Sequence, residues 1–382
     1  MIIIHYSEIG LKGGNRDFFE NQLVQNIKVA LKGVLDGDFT CRRIFGRFLV
    51  DYKKEFSVDE INMVSDKLEK IFGIANFSFV CVIEANFDLI EKEILKSLKN
   101  REFNTFRIST RRSDKSFPMD SPEMNTKIGA SVVDLYGKKV SLKNPELNCH
   151  IELVGKQAYV YYDKIKGMGG MPVGTSGKAM VLISGGFDSP VASWFALKRG
   201  IQVEFLHFHS MPYTSQASVD KVKALVKVLE KFGSSSKIYL FPFADIQKEI
   251  IMKCPEKLRV VLYRRAMMRI AESLAFKKNC KALVTGEAVG QVASQTLENM
   301  RAIGSVVNLP IIRPLVCFDK EDIIEKARFI GTYDISAKPH DDCCTRFIPK
   351  HPETKAKLSE VELAEKSIDI DEMVAGTMKD IM

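Results

Sequence analysis

The hexapeptide Ser184-Gly185-Gly186-Phe187-Asp188-Ser189 limits what this chain can fold into more than any other stretch. It lies between an apolar run, Met180 to Ile183, that reads as a buried strand, and a segment, Pro190 to Arg199, that reads as a helix stopped by Gly200. Pro190 has the fixed φ and missing N–H that suit a first helical position. Two glycines at such a junction let successive backbone N–H groups point into one concavity, and the helix dipole adds partial positive charge there. An anion of phosphate size is then held without any side chain. In open α/β sheets this is also the end where ligands sit. Ser184 and Ser189 can add hydroxyl donors. Asp188 is out of place beside a bare phosphate and points to a Mg²⁺ ion that its carboxylate helps to hold. A lone Gly-Gly pair would be a tight turn with Ser189 as helix cap; strand, helix, two serines and an aspartate together predict nucleotide binding. The motif is not a Walker A loop. Gly174-Thr175-Ser176-Gly177-Lys178-Ala179 has the wrong glycine spacing and an alanine where Ser or Thr would hold the metal.

Repeated β-α units follow the loop: strands Val203 to Phe208, Lys237 to Phe241 and Ala282 to Thr285 alternate with helices, which predicts a parallel sheet covered on both faces. Upstream, Ile2 to Tyr6, Asp17 to Lys32, Phe39 to Arg43, Phe45 to Tyr52, a helix carrying Ile61 to Phe72, and Asn76 to Ile83 give the order β-α-β-β-α-β, a ferredoxin-like domain over residues 1–84. A second α/β unit spans residues 85–166, and the Gly- and Pro-rich stretch 167–178 reads as a linker before a third domain, 179–382. The fold class is thus α/β and α+β, multidomain. The last thirty residues, charged and helix-prone, read as a solvated helix. With 382 residues, 46% of them apolar, there is material for two or three domains. No run approaches the length of a membrane span. Met1-Ile2-Ile3-Ile4-His5 has no basic flank and too short an apolar run for a signal peptide, so a cytoplasmic protein with its eight cysteines as thiols is expected, without a membrane partner. The net charge of +8 favours an anionic partner such as RNA.

The loop resembles that of the PP-loop ATP pyrophosphatases, in which an SGGxDS motif holds the pyrophosphate end of ATP while AMP passes to a substrate oxygen. The resemblance covers nearly the whole chain. Val181 to Ala192, His207-Phe208-His209-Ser210, Gly286-Glu287 with Ser294-Gln295-Thr296, and Asp341-Asp342-Cys343-Cys344 are similar to the tRNA 4-thiouridine synthetases, or tRNA uridine sulfurtransferases. In that family a ferredoxin-like domain and a THUMP domain, here residues 85–166, precede the PP-loop domain. The resemblance implies ATP and Mg²⁺ as cofactors, with nucleotide contacts at Leu182, Ile183, Ser184, Gly185, Gly186, Phe187, Asp188, Ser189, His207, Phe208, Arg264, Gly286 and Gln295. Taken alone, Arg264 would be one of several solvated arginines in a basic helix with Arg259, Arg265 and Arg269, and His207 with His209 could be core residues. The implied reaction is thiolation of tRNA uridine 8: adenylation of the C4 oxygen, then attack by persulfide sulfur.

On the strand from Phe106, Arg107 and Arg111 share one face with Ser109, and Arg112 and Lys115 follow, an arginine stripe suited to a phosphate backbone. An ordinary charged strand would look alike; likeness to THUMP domains, which bind the tRNA acceptor end, favours RNA. Lys12 and Arg16 lie in a segment resembling the family's N-terminal signature and are further candidate phosphate contacts. Cys344 is the expected persulfide carrier and Cys343 its helper, with Asp188 essential to adenylation. Cys41, Cys81, Cys149, Cys280 and Cys317 read as small core residues, and Cys254 is open. Longer members carry a rhodanese domain, for which this sequence has no room. A cysteine desulfurase, another persulfide donor, a separate rhodanese or sulfide would then supply the sulfur. A homodimer is expected by the same resemblance. The competing readings are a PP-loop ligase or amidotransferase on a small molecule, and a non-catalytic RNA-binding protein.

Overall fold

The computed structural model describes residues 1–35, 38–113, 117–233, 237–339, 349–370 and 372–373. The chain divides into two compact units, Met1–Met171 and Pro172–Met382. None of the described helices is long and apolar enough to cross a membrane.

The first unit opens with β1 (Ile2–Tyr6), α1 (Arg16–Leu31), β2 (Phe39–Ile44), β3 (Arg47–Tyr52), α2 (Val58–Glu69) and β4 (Ile74–Phe79). It continues with β5 (Cys81–Glu84), α3 (Phe87–Leu98), β6 (Thr105–Arg112), α4 (Ser121–Tyr136), β7 (Lys139–Val140), β8 (Leu147–Val154), β9 (Gln157–Tyr161) and β10 (Ile165–Lys166). The helices begin where their sequence says they should. Ser57 and Glu60 form a reciprocal capping box on α2, and Asn86 and Asp120 accept from the first turns of α3 and α4. Two sheets result, β10-β4-β1-β3-β2 and β5-β9-β8-β6-β7.

The apolar run Asn76 to Ile83, expected as one strand, is two. It breaks at Val80, so β4 stays in the first sheet while β5 pairs with β9 in the second. Ile3 and Leu49 from the first sheet pack on Val154, Tyr159 and Tyr161 from the second in one shared apolar cluster. The chain then returns: β10 pairs with β4, and the N–H groups of Gly167 and Gly169 donate to Ala75 and Ile74 carbonyls. Gly167 must be glycine, since a Cβ there would sit 2.4 Å from the Ile74 carbonyl oxygen. The start of the Gly-rich stretch is therefore bonded into the first unit.

The second unit contains β11 (Lys178–Leu182), α5 (Asp188–Lys198), β12 (Gln202–His209), α6 (Gln216–Glu230), β13 (Ile238–Pro242), α7 (Ala244–Lys253) and α8 (Arg259–Lys277). After these come β14 (Ala282–Val284), α9 (Leu297–Gly304), β15 (Ile311–Ile312), α10 (Lys320–Ile330), α11 (Tyr333–Ser336) and α12 (Leu358–Glu365). The sheet order is β13-β12-β11-β14-β15 with every pairing parallel. The C-terminal segment is not a solvated helix throughout. Val361 of α12 is fully buried, and Glu365 receives the buried Arg265 of α8 at 2.6 Å and Arg269 at 3.1 Å. Paired in this way, a carboxylate can sit against a core that composition alone would deny it.

Candidate active site

β11 delivers the hexapeptide to the C-terminal edge of the parallel sheet, and the chain enters α5 directly. The helix starts at Asp188, two residues before Pro190, which occupies the first turn but not its first position. Any first-turn residue lacks an intrahelical acceptor for its N–H, so proline is equally tolerated there. The two serines brace the loop rather than face outward. Ser184 N–H donates to Ser189 Oγ at 2.9 Å, the two hydroxyls are 3.3 Å apart, and Ser189 is buried. Ser336 Oγ donates to the Gly186 carbonyl at 3.2 Å, tying α11 to the loop.

Behind the loop is a cavity of about 250 Å³. It brings together Leu182, Ile183, Ser184, Gly186, Asp188, Ser189, His207, Phe208, Arg264, Gly286 and Gln295 of the expected nucleotide contacts; Gly185 and Phe187 do not line it. His207 Nδ1 lies 3.0 Å from the Ile183 carbonyl, clamping the ends of β11 and β12 together. One position of α8 separates Arg264, on the cavity wall, from Arg265, which turns to Glu365. The buried Gln295 Oε1 and the Gln291 Nε2 find no partner among the described residues, so the cavity offers an acceptor and a donor to a polar ligand. Gly286 is one of the expected nucleotide contacts. What it approaches is the loop itself: a Cβ would lie 2.6 Å from Ser189 N and 2.8 Å from Asp188 C.

Two groups outside the expected contact set gather at the site. Lys320, the first residue of α10, donates its Nζ to Asp188 Oδ1 at 2.6 Å and lies over the Phe187 ring. Glu287, buried at the cavity wall, accepts from Thr285 Oγ1 and Arg313 Nε. Only the chain's return after β14 brings these residues to the loop. Cys343 and Cys344 lie outside the described residues. The segment preceding them is anchored, since the buried Lys221 donates to the carbonyls of Ser336 and Lys338 at 2.7 Å each. From Lys338 to Cys344 is six residues, a reach of at most about 20 Å. Two of the cysteines expected in the core are exposed, Cys81 on the short edge strand β5 and Cys317 just before α10, whereas Cys41, Cys149, Cys254 and Cys280 are buried.

In the first unit, Arg107 and Arg111 are exposed on β6 and line a second cavity of about 430 Å³ with Lys164, His150 and His5. Its floor is a buried ion cluster. Glu152 accepts from Tyr161 Oη at 2.6 Å and sits 2.8 Å from His5 Nε2 and 2.9 Å from Arg47 Nη2. Burial pushes its carboxyl up, but the His5 hydrogen bond and charge, the tyrosine hydroxyl and Arg47 overcome this and bring it to about 2. Burial, with Lys164 nearby, pushes His150 down to about 4, leaving a neutral ring stacked on Tyr161. Arg112 turns back, donating to the Phe117 and Met119 carbonyls. Arg16 donates to Glu20 and lies over Tyr6, and Lys12 lies over Phe19. Lys115 lies outside the described residues.

Three family models match the chain. Residues 1–78 match the ThiI ferredoxin-like domain, 84–163 the THUMP domain and 174–370 the thiamine biosynthesis protein (ThiI) family. A Moorella thermoacetica protein named "Probable tRNA sulfurtransferase" is 42% identical over 381 residues, covering 100% of this chain and 96% of its own length. A Thermoanaerobacter sp. protein of the same name is 42% identical, covering 100% and 99%. Among solved structures, a 4-thiouridine synthetase–RNA complex with bound ATP superposes with a TM-score of 0.88 at 38% identity, covering 99% of this chain and 97% of that one. With its PP-loop, its ferredoxin-like and THUMP domains and these full-length relatives, the chain belongs to the ThiI family of tRNA sulfurtransferases.

Proposed function

We propose that the chain uses ATP to replace the C4 oxygen of uridine 8 in tRNA with sulfur, working in the cytoplasm. The observation that carries this is the cavity behind the Ser184–Ser189 loop, in a chain that matches an ATP- and RNA-bound 4-thiouridine synthetase along its whole length. The C4 oxygen of uracil is a poor leaving group because the ring amide is resonance-stabilised. The loop's backbone N–H groups hold the pyrophosphate end of ATP, so the α-phosphorus faces the attacking O4 and pyrophosphate departs. The nucleotide contacts are the eleven cavity residues of the expected set, with Gly185 and Phe187 shaping the loop.

Asp188 is the residue suited to Mg²⁺. The described residues hold no group of three His, Cys, Asp or Glu side chains that could bind an ion without help. Magnesium is commonly carried by nucleotide phosphates and held by one or two carboxylates. When bound, the ion neutralises charge developing on the departing pyrophosphate. Lys320 then exchanges its Asp188 partner for phosphate oxygen.

Persulfide sulfur on Cys344, loaded by a cysteine desulfurase or a comparable donor, attacks C4 and expels AMP. Cys343 attacks the Cys344 sulfur, releasing 4-thiouridine and leaving a disulfide that an external thiol reduces. The tRNA acceptor end lies on the first unit through Arg107, Arg111 and Lys115, with Lys12 and Arg16 as further contacts, while Arg112 serves the Phe117 and Met119 carbonyls. The chain acts as a homodimer, one copy presenting tRNA to the other's loop.

The test is nucleoside mass spectrometry of tRNA incubated with ATP, Mg²⁺ and a persulfide donor, together with AMP and pyrophosphate assays. Asp188→Ala should release no pyrophosphate, and Cys344→Ser should release pyrophosphate but make no 4-thiouridine. Formation of ADP and orthophosphate, or wild-type thiolation by Cys344→Ser, refutes the scheme.

A further inference from the structure

Glu287 is a carboxylate in a cavity that otherwise suits a polyanion. Only 6% of its surface is exposed, and it lines the nucleotide cavity. One oxygen is fully engaged: Oε2 accepts from Arg313 Nε at 2.7 Å and from Thr285 Oγ1 at 2.9 Å. The other, Oε1, accepts no hydrogen bond from any described residue. Gly286 presses against the backbone of Asp188 and Ser189, which fixes its neighbour Glu287 at the phosphate-loop end of the cavity. An anchored carboxylate with one open oxygen there repels phosphate and gains only from a ligand that brings a proton or a cation. The triphosphate brings no proton, and the magnesium it carries is assigned above to Asp188. The target base does, at N3 beside the oxygen that must attack.

We propose that Glu287 is the general base that removes the N3 proton of the target uracil during adenylation. The inference rests on the proposed adenylation of C4. As the proton passes from N3 to Glu287 Oε1, the N3–H electron pair delocalises onto O4. O4 forms the bond to the α-phosphorus, the bond from the α-phosphorus to the bridging oxygen breaks, and pyrophosphate leaves; Glu287 later loses its proton to water. Arg313 and Thr285 act as positioning residues, holding Oε2 so that Oε1 is presented in one direction. The other titratable and charged groups lining the cavity are Asp188, His207 and Arg264, with Lys320 bonded to Asp188.

The test compares the full-length wild type with Glu287→Gln, whose amide oxygen still accepts from Thr285 and Arg313, and with Glu287→Asp, which keeps the charge. Single-turnover pyrophosphate release is measured at saturating Mg-ATP on tRNA carrying uridine or the more N3-acidic 5-fluorouridine at the target position. ATP affinity and melting temperature are recorded for each variant. Glu287→Gln should bind ATP normally and adenylate about 10²- to 10⁴-fold more slowly at neutral pH. The deficit should shrink about tenfold per pH unit as pH rises toward the N3 pKa, and 5-fluorouridine should rescue the variant more than it speeds the wild type. Glu287→Asp should keep the wild-type pH profile at reduced rate. The proposal is overturned by a wild-type rate in Glu287→Gln, by loss of ATP affinity, which would make Glu287 a nucleotide- or metal-holding group, or by a deficit that neither pH nor fluorine relieves. If the wild type itself releases no pyrophosphate with tRNA, the adenylation reading and this one fall together; a fully active Glu287→Gln fails this one alone.

Discussion

Gly286 shows how a single hydrogen in place of a methyl can set an active site. Its Cα faces the junction of loop and helix so closely that any side chain would have to displace the backbone of Asp188 and Ser189. Gly286→Ala should therefore push the loop outward, lowering stability by about 1–3 kcal/mol and weakening ATP binding more than the stability loss explains. Calorimetric titration with ATP beside a thermal melt would show it; unchanged ATP affinity would mean the loop tolerates the shift. The loop itself was legible in sequence because glycine pairs, a preceding apolar run and Pro190 are local signals. Lys320 was not, because its partner Asp188 is 132 residues away and a lysine opening a helix looks like any solvated cation. Glu152 was hidden for the same reason: on an alternating strand a carboxylate reads as solvent-facing, and only the packing of a second sheet over it reveals the buried cluster. The two serines were legible as residues, though not in their role of closing the loop on itself.

Among the elements, β6 and β8 set an exposed arginine face beside a buried ion cluster. They run parallel with Arg111 opposite Glu152, so an exposed cation and a buried anion stand side by side. If Arg107, Arg111 and Lys115 contact phosphates, alanine at each should flatten the log-affinity against log-salt slope for tRNA by about 0.7 to 0.9. Arg112→Ala should leave that slope alone and loosen the β6–α4 connection instead, since its guanidinium serves the Phe117 and Met119 carbonyls. Fluorescence titrations over a salt series would separate the two. Glu152 ties β8 to β1 and β3, and its carboxyl is held at about 2 against an ordinary 4.5. Because the folded value is the lower one, this stabilisation is complete above about pH 4.5 and is lost as pH falls from there toward 2. Glu152→Ala should cost about 3–5 kcal/mol at neutral pH, since it leaves Arg47 buried without its counterion. Glu152→Gln should show a flatter loss of stability with acid than the wild type, measured by denaturant unfolding at several pH values. The break at Val80 escaped sequence reading because an apolar run carries no mark of a change of sheet; β6, with its alternation of arginine and apolar residues, was legible at once.

For the whole molecule, the proposed homodimer makes a prediction that neither unit makes alone. If one copy presents tRNA to the other's loop, a chain deficient in RNA binding (Arg107→Ala, Arg111→Ala) and a chain deficient in adenylation (Asp188→Ala) should complement each other. Mixed after dissociation and reassociation, they should recover roughly a quarter of wild-type thiolation, because half of the reassembled symmetric dimers are mixed and each has one competent pairing. No recovery, or a monomer of full activity by sedimentation, would remove the arrangement. The path of β10 bears on how such a protein can be taken apart. Since Ile165–Lys166 and the glycines after it close the edge of β4, the first sheet is finished only after the whole second sheet has been made. In topological language the THUMP sheet is an insertion within its neighbour rather than a successor to it. A fragment cut after Glu84 would leave β4 with an unpaired edge, a template for association between chains, whereas one cut after Met171 keeps that edge closed. The first 171 residues, rather than the first 84, are thus the piece expected to fold with the β4 edge closed.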